Sequence, residues 1–220
     1  MAAELTRLVF VRHGESRSNL EGWLSGIETC GGLTEKGRSQ AEALRARLLR
    51  TEELRPDVVF TSVMARAIQT AEVVAPAWSG VPVEQLHALS ERLPGECEGM
   101  NHDEYREAYG RGPYDDFAAA MSPGGETLDE FLGRVRGVVD ELALRCAGQT
   151  AVLVCHGGVI IGGAAHLAGQ DLRPTALRWA PPGHTSITEW LRWDGGSEGA
   201  GGSAGTWMLG RYNDAAHLVG

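Results

Sequence analysis

Three short runs of apolar and β-branched residues, at 6–12, 57–61 and 151–155, are each followed by a segment of helical periodicity, and this alternation limits the chain to few folds. Runs that short with so little polar alternation read as strands buried on both faces. A further strand is expected at 81–86. Residues 34–50 read as a helix, with Thr34 as cap, Ala41, Leu44 and Leu48 on one face, and Pro56 blocking continuation. A second helix follows the strand at 57–61, with Met64, Ile68, Ala71 and Ala75 expected on one face and Pro76 as its stop. In the stretch 124–148, Thr127 and Glu130 form a capping box. Beyond it Leu128, Phe131, Leu132, Val135, Val139 and Leu142 recur at helical spacing, and Gly148 closes the helix. A helix of small residues runs from 157 to about 168, and 185–193 and 206–212 read as a hairpin.

Strands alternating with helices predict a three-layer α/β/α sandwich with a mostly parallel central sheet, here with an antiparallel edge strand. The 220 residues suit a single domain, 1–220. Within it, 87–125 is irregular, with one short helix near 101–110, and reads as an inserted cap or substrate segment. The Gly-rich stretch 195–205 reads as a flexible loop. A net charge of −9 argues against nucleic acid and anionic membranes as partners. No stretch approaches the roughly 18 apolar residues of a membrane span, and no secretory leader is expected. Cys30, Cys97, Cys146 and Cys155 show no CxxC spacing and read as reduced thiols of a cytoplasmic protein. No HxxxH or CxxC pattern suggests a metal site. The hairpin and an edge strand offer a surface for a homodimer, though nothing in the sequence demands one.

In sheets of this kind ligands bind beyond the carboxyl ends of the strands. Arg12-His13-Gly14 follows the first strand, and Ser62 and then Arg66 follow the second. Glu91-Arg92 comes soon after the third, and His156-Gly157-Gly158 follows 151–155. Arginine forks and helix N-termini suit phosphoryl oxygens. A histidine neutral at one nitrogen can act as a covalent nucleophile, and a carboxyl group can protonate a leaving alkoxide.

The segments VRHGES at 11–16, TSVMARAIQTAE at 61–72, SERLPGECEG at 90–99 and VCHGGVI at 154–160 resemble the histidine phosphatase superfamily, in its phosphoglycerate mutase-like branch. GLTEKGRSQAEAL at 32–44 and PGGET at 123–127 extend the resemblance over nearly the whole chain. It implies that His13 is the nucleophile, that Arg12, Arg66 and His156 bind the phosphoryl oxygens, and that Glu91 is proton donor and then base. Asn19, Ser62, Arg92, Gly157 and His184 would be further phosphate or substrate contacts. No metal or cofactor is implied.

The expected activity is that of a histidine acid-type phosphatase, a metal-independent phosphoric monoester hydrolase. Its partner would be a small phosphorylated metabolite, attacked through phosphohistidine. A 2,3-bisphosphoglycerate-dependent mutase is the first alternative. It would carry tryptophan where this chain has Ser18, and paired arginines where 100–123 holds only Arg106 and Arg111. Cys97 also stands where many members carry an aromatic residue. A catalytically silent phospho-ligand binding domain is the second alternative, although every expected catalytic position is filled.

Overall fold

The computed structural model describes residues 4–78, 80–113, 115–116, 118–170, 179–194 and 205–219. Strand β1 (Glu4–Arg12) pairs in parallel with β4 (Thr150–Cys155), from Arg7 opposite Thr150 to Arg12 opposite Cys155. Strand β2 (Val58–Ser62) lies parallel between β4 and β3 (Val83–Leu86). On the other side of β1 come β5 (Ile187–Asp194) and then β6 (Met208–Asp214), each antiparallel to its inner neighbour. The order is β3-β2-β4-β1-β5-β6. The hairpin is therefore the antiparallel edge of an otherwise parallel sheet. Its inner strand β5 runs against the rest and β6 lies outermost.

The pleat sends successive side chains of β1 to opposite faces. Leu8 and Phe10 join Phe60, Leu153 and Trp190 under helices α5 (Leu128–Arg145) and α6 (Gly157–Leu167). Val9 and Val11 join Val59, Val152, Val154 and Ile187 under α2 (Glu35–Thr51) and α3 (Ala65–Val74). Two helical layers thus enclose the sheet. Outside these layers in sequence, α1 (Arg17–Glu21) follows the β1 loop, and α4 (His102–Tyr109) lies in the segment after β3. That segment packs a small core of Cys97, Tyr105 and Met121 against Leu24, which follows α1. No helix among the described residues is long and apolar enough to cross a membrane. Of the stretch expected to be a flexible loop, 195–204 lies outside the described residues.

The capping predictions hold. Thr34 accepts from Gly37 N–H, and the Thr127–Glu130 box is reciprocal. The face assigned to α3 holds only for Met64 and Ala71. Ala67, Ala71 and Val74 are buried there together with Arg66 and Thr70, while Ile68 and Ala75 are only half-buried. The helix is rolled so that its arginine points inward.

An ion-pair network locks the hairpin to α2. Arg47 bonds Glu53 and Asp214 at 2.6 Å each, and Arg211 bonds Glu53 at 2.6 Å and Glu189 at 3.1 Å. Hydrogen bonds from Arg47 above all hold the Glu53 carboxyl at about 2, against an ordinary 4.5, and hold Asp214 low as well. Both shifts are downward, so the stability they carry is present above the unfolded pKa and is lost as pH falls through the folded one. Arg47→Ala is expected to cost about 1–3 kcal/mol at pH 7. In urea melts its deficit relative to wild type should shrink as pH is taken below 4.5 toward 2.

Candidate active site

The β1–β4 pairing continues one residue past β1, where His13 N–H donates to the Cys155 carbonyl at 3.0 Å. Thr185 N–H meets the Arg12 carbonyl at 3.0 Å from the far side. His13 is thereby fixed at the rim, 2% exposed. The next residue must be glycine, because a Cβ on Gly14 would lie 2.3 Å from the Gly37 carbonyl oxygen at the start of α2. His13 Nδ1 stands 2.7 Å from the Gly14 carbonyl oxygen. A carbonyl only accepts, so Nδ1 carries the proton and Nε2 keeps its lone pair. Burial, then the charge of Arg66 and the neighbouring His156 and Arg12, press the His13 pKa well below its ordinary 6.5. The ring is a neutral base with Nε2 uncommitted. Its reactivity toward diethyl pyrocarbonate, read by peptide mass, is expected to persist as pH falls through 6.5. Loss of that reactivity with a midpoint at 6.5 or higher would contradict the assignment.

His156, fully buried between β4 and α6, has the opposite tautomer. Its Nδ1 accepts from Arg66 Nε at 3.2 Å, and its Nε2 donates to Ser62 Oγ at 2.8 Å. Burial, then Arg66 and Arg12, depress its pKa too. The two rings lie 5.1 Å apart. Ser62 and His156 are both wholly buried and absent from the cavity lining, so His156 stands behind Arg66 and not at the cavity surface expected of a phosphate ligand. Ser62 supports His156 instead of offering the ligand contact expected from the sequence.

Arg66, on the first turn of α3, is 4% exposed and reaches Ser25 Oγ at 2.6 Å and Cys30 Sγ at 3.3 Å. Arg12 Nη1 donates to the Pro182 carbonyl at 2.6 Å, while its Nε is buried with no hydrogen-bond partner. Neither guanidinium forms an ion pair with a carboxylate among the described residues. Glu91 hangs from the N-terminus of α6, its Oε2 accepting from Gly158 N–H at 2.9 Å and its Oε1 from Arg92 N–H at 3.1 Å. Arg12, His13, Arg66, Glu91 and Gly157 all line one cavity of about 610 Å³.

The secondary residues fall into place unequally. Asn19 lines the cavity and also closes the capping box of α1, its Oδ1 accepting from Ser16 N–H and Oγ–H. The same oxygen faces His184 Nε2 at 3.3 Å. His184 lies 5.9 Å from the His13 ring but is not part of the cavity lining, and burial, aided by the Arg12 charge, takes its pKa to about 4. Arg92 lines the cavity while donating to the carbonyls of Glu126 and Ala119 at 2.9 Å each.

A family model described as histidine phosphatase superfamily, branch 1, matches residues 8–200. The chain belongs to that superfamily. It is 36% identical over 161 residues to a 2,3-bisphosphoglycerate-dependent phosphoglycerate mutase of Xanthobacter autotrophicus, which covers 68% of this chain and 75% of the mutase. It is 35% identical over 156 residues to a 6-phosphofructo-2-kinase/fructose-2,6-bisphosphatase of Gallus gallus, covering 68% of this chain but only 30% of that longer protein. The solved structure of Bacillus stearothermophilus YhfR superimposes with a TM-score of 0.78 at 31% identity, over 96% of this chain and 98% of that one.

Two residues of this superfamily member escaped the sequence reading. Arg134 of α5 donates to the carbonyls of Ala88 and Ser90 at 2.9 Å each and pairs with Glu126 at 2.6 Å. Glu126 Oε2 in turn accepts from Leu93 N–H at 2.9 Å. Together they brace the loop that presents Glu91. The only local signal was a carboxylate just ahead of a capping box and an arginine two turns on, which is common in exposed helices. Gly158 matters through what it lacks, since a Cβ there would lie 2.2 Å from Glu91 Oε1. Gly158→Ala is therefore expected to displace the carboxylate and lower kcat/KM about 10²-fold with little change in melting temperature.

Proposed function

We propose that the protein is a metal-independent phosphomonoesterase that works through phosphohistidine at Nε2 of His13. The observation that carries this reading is the tautomer of His13, buried and neutral, in the lining of a cavity with two arginines that have no carboxylate ion-pair partner among the described residues. An incoming phosphoryl group would satisfy the buried Arg12 Nε, whose present state costs about 1–3 kcal/mol. Nε2 attacks phosphorus, the ester P–O bond breaks, and its electron pair leaves with the alkoxide, which Glu91 protonates. The Nδ1–H···O bond to Gly14 steadies the positive charge that grows on the ring. Glu91, now a carboxylate, takes a proton from water as its oxygen attacks phosphorus. The P–N bond breaks, its pair returns to Nε2, and inorganic phosphate leaves. Arg12 and Arg66 meet the oxyanion charge in both steps, so the scheme requires no metal.

The mutase relative raises the question of a second anion site. The two arginines of the segment are poor candidates for it. Arg106 is exposed against Asp103, and Arg111 donates to the carbonyl of Ala120 at 2.7 Å; neither lines the cavity. Four buried, unpaired thiols favour a cytoplasmic setting. The reading is tested with a panel of phosphomonoesters in excess EDTA. Phosphate release that survives chelation supports it. Isomerisation of 3-phosphoglycerate primed by its bisphosphate, with little release, would replace it with the mutase.

A further inference from the structure

Resting on that reading, we infer that the ester cleaved here has an apolar leaving group, an alkyl chain or a flat ring system, and not a sugar or a second anion. The cavity extends well beyond the strand rim. At about 610 Å³ it matches sites that enclose whole drug-sized ligands, and a phosphoryl group fills only its charged end. Its other walls are mostly apolar among the described residues. Leu128, Phe131, Leu132 and Ile161 line it from α5 and α6, and Leu24 after α1 and Met121 after α4 line it from their shared small core. Ile161 lies nearly one helical turn past Gly158, where Glu91 is held, so this wall leads from the reacting end along α6. Gly162 keeps the two helices close, since a Cβ there would be 3.2 Å from both Leu132 and Val135.

Among the described residues, much of the polar lining beyond the reacting groups is already engaged within the protein. Ser25 accepts from Arg66 and donates to Ser18 at 3.1 Å. Asn19 Oδ1 serves Ser16 and His184, and Arg92 serves two backbone carbonyls. A sugar's hydroxyls or a second phosphate would give up water and face leucine, isoleucine, methionine and phenylalanine. An alkyl or aryl group would leave water for that same surface at a gain. The selectivity of such a wall accumulates with each methylene it covers.

The test is a homologous series of ethyl, butyl and hexyl phosphates against glycerol 1-phosphate and 3-phosphoglycerate, with kcat/KM as the readout. All are alkyl esters, so differences in leaving-group acidity stay small. The value is expected to rise at least tenfold from ethyl to hexyl and to exceed both polar esters. Ile161→Asn should cut the hexyl-to-ethyl ratio about tenfold. Leu128→Ala, also at a half-buried position, serves as the second variant should the first fold poorly. A flat series, or the polar esters ranking first, overturns the inference and leaves the phosphatase reading intact. If no ester is hydrolysed, calorimetric binding of ethyl- and hexylphosphonate separates the two. Tighter binding of the longer chain upholds the apolar site while the phosphatase reading falls, and equal affinity overturns the site as well.

Discussion

His13→Ala is expected to lower phosphate release by on the order of 10⁴-fold or more, the size of loss that follows removal of a covalent nucleophile. The fold should survive, because His13 contributes one side-chain bond, to the adjacent Gly14 carbonyl, and the β1–β4 pairing beneath it is made by backbone. Steady-state release on any ester the wild type turns over, beside a thermal melt, checks both halves. A loss of tenfold or less with an unchanged melt would mean that the attacking group lies elsewhere. Because the nucleophile and its oxyanion site act on one transition state, adding Arg66→Ala to the variant should cost little more.

Glu91→Gln is the second large effect. Glutamine has the same shape and can still accept from Gly158 N–H, so the loop should stay in place. What it cannot do is give a proton to the departing oxygen. For alkyl esters kcat/KM should fall by about 10²–10⁴-fold. For p-nitrophenyl phosphate, whose phenolate leaves without a proton, the fall should be far smaller. The ratio kcat/KM is the right readout because it stops at transfer to His13 and is blind to later hydrolysis of the phosphoenzyme. Equal losses on both esters would make Glu91 a structural residue.

Much of this arrangement could be read from strand ends alone. β1 fixes Arg12 and His13 at the rim because its pleat leaves no choice, and the helix caps at Thr34 and Thr127 follow from local chemistry. The failures share one cause. Hydrophobic periodicity counts only apolar residues toward the buried face, so on α3 it found Met64 and Ala71 but missed Thr70, and it placed Ile68 there although Arg66 was expected at the site. In the fold Arg66 and Thr70 are buried, Arg66 toward His156 and Thr70 to accept from Gly14 N–H at 3.0 Å. Ser62 was misread for a related reason, since proximity to the site in sequence does not say whether a hydroxyl faces the cavity or the back of a histidine. The Arg134–Glu126 brace and the proton on Nδ1 of His13 depend on contacts between distant segments or on bond geometry, and no periodicity encodes them.

The most direct measurement is to quench a reaction with ³²P-labelled ester under alkaline conditions, where phosphohistidine survives, and to locate the label by peptide mass. A phosphohistidine mechanism at this site predicts label on His13 alone, absent from His13→Ala and discharged by further turnover. Label on another residue, or sustained phosphate release with no label under conditions that trap phosphohistidine, would contradict it.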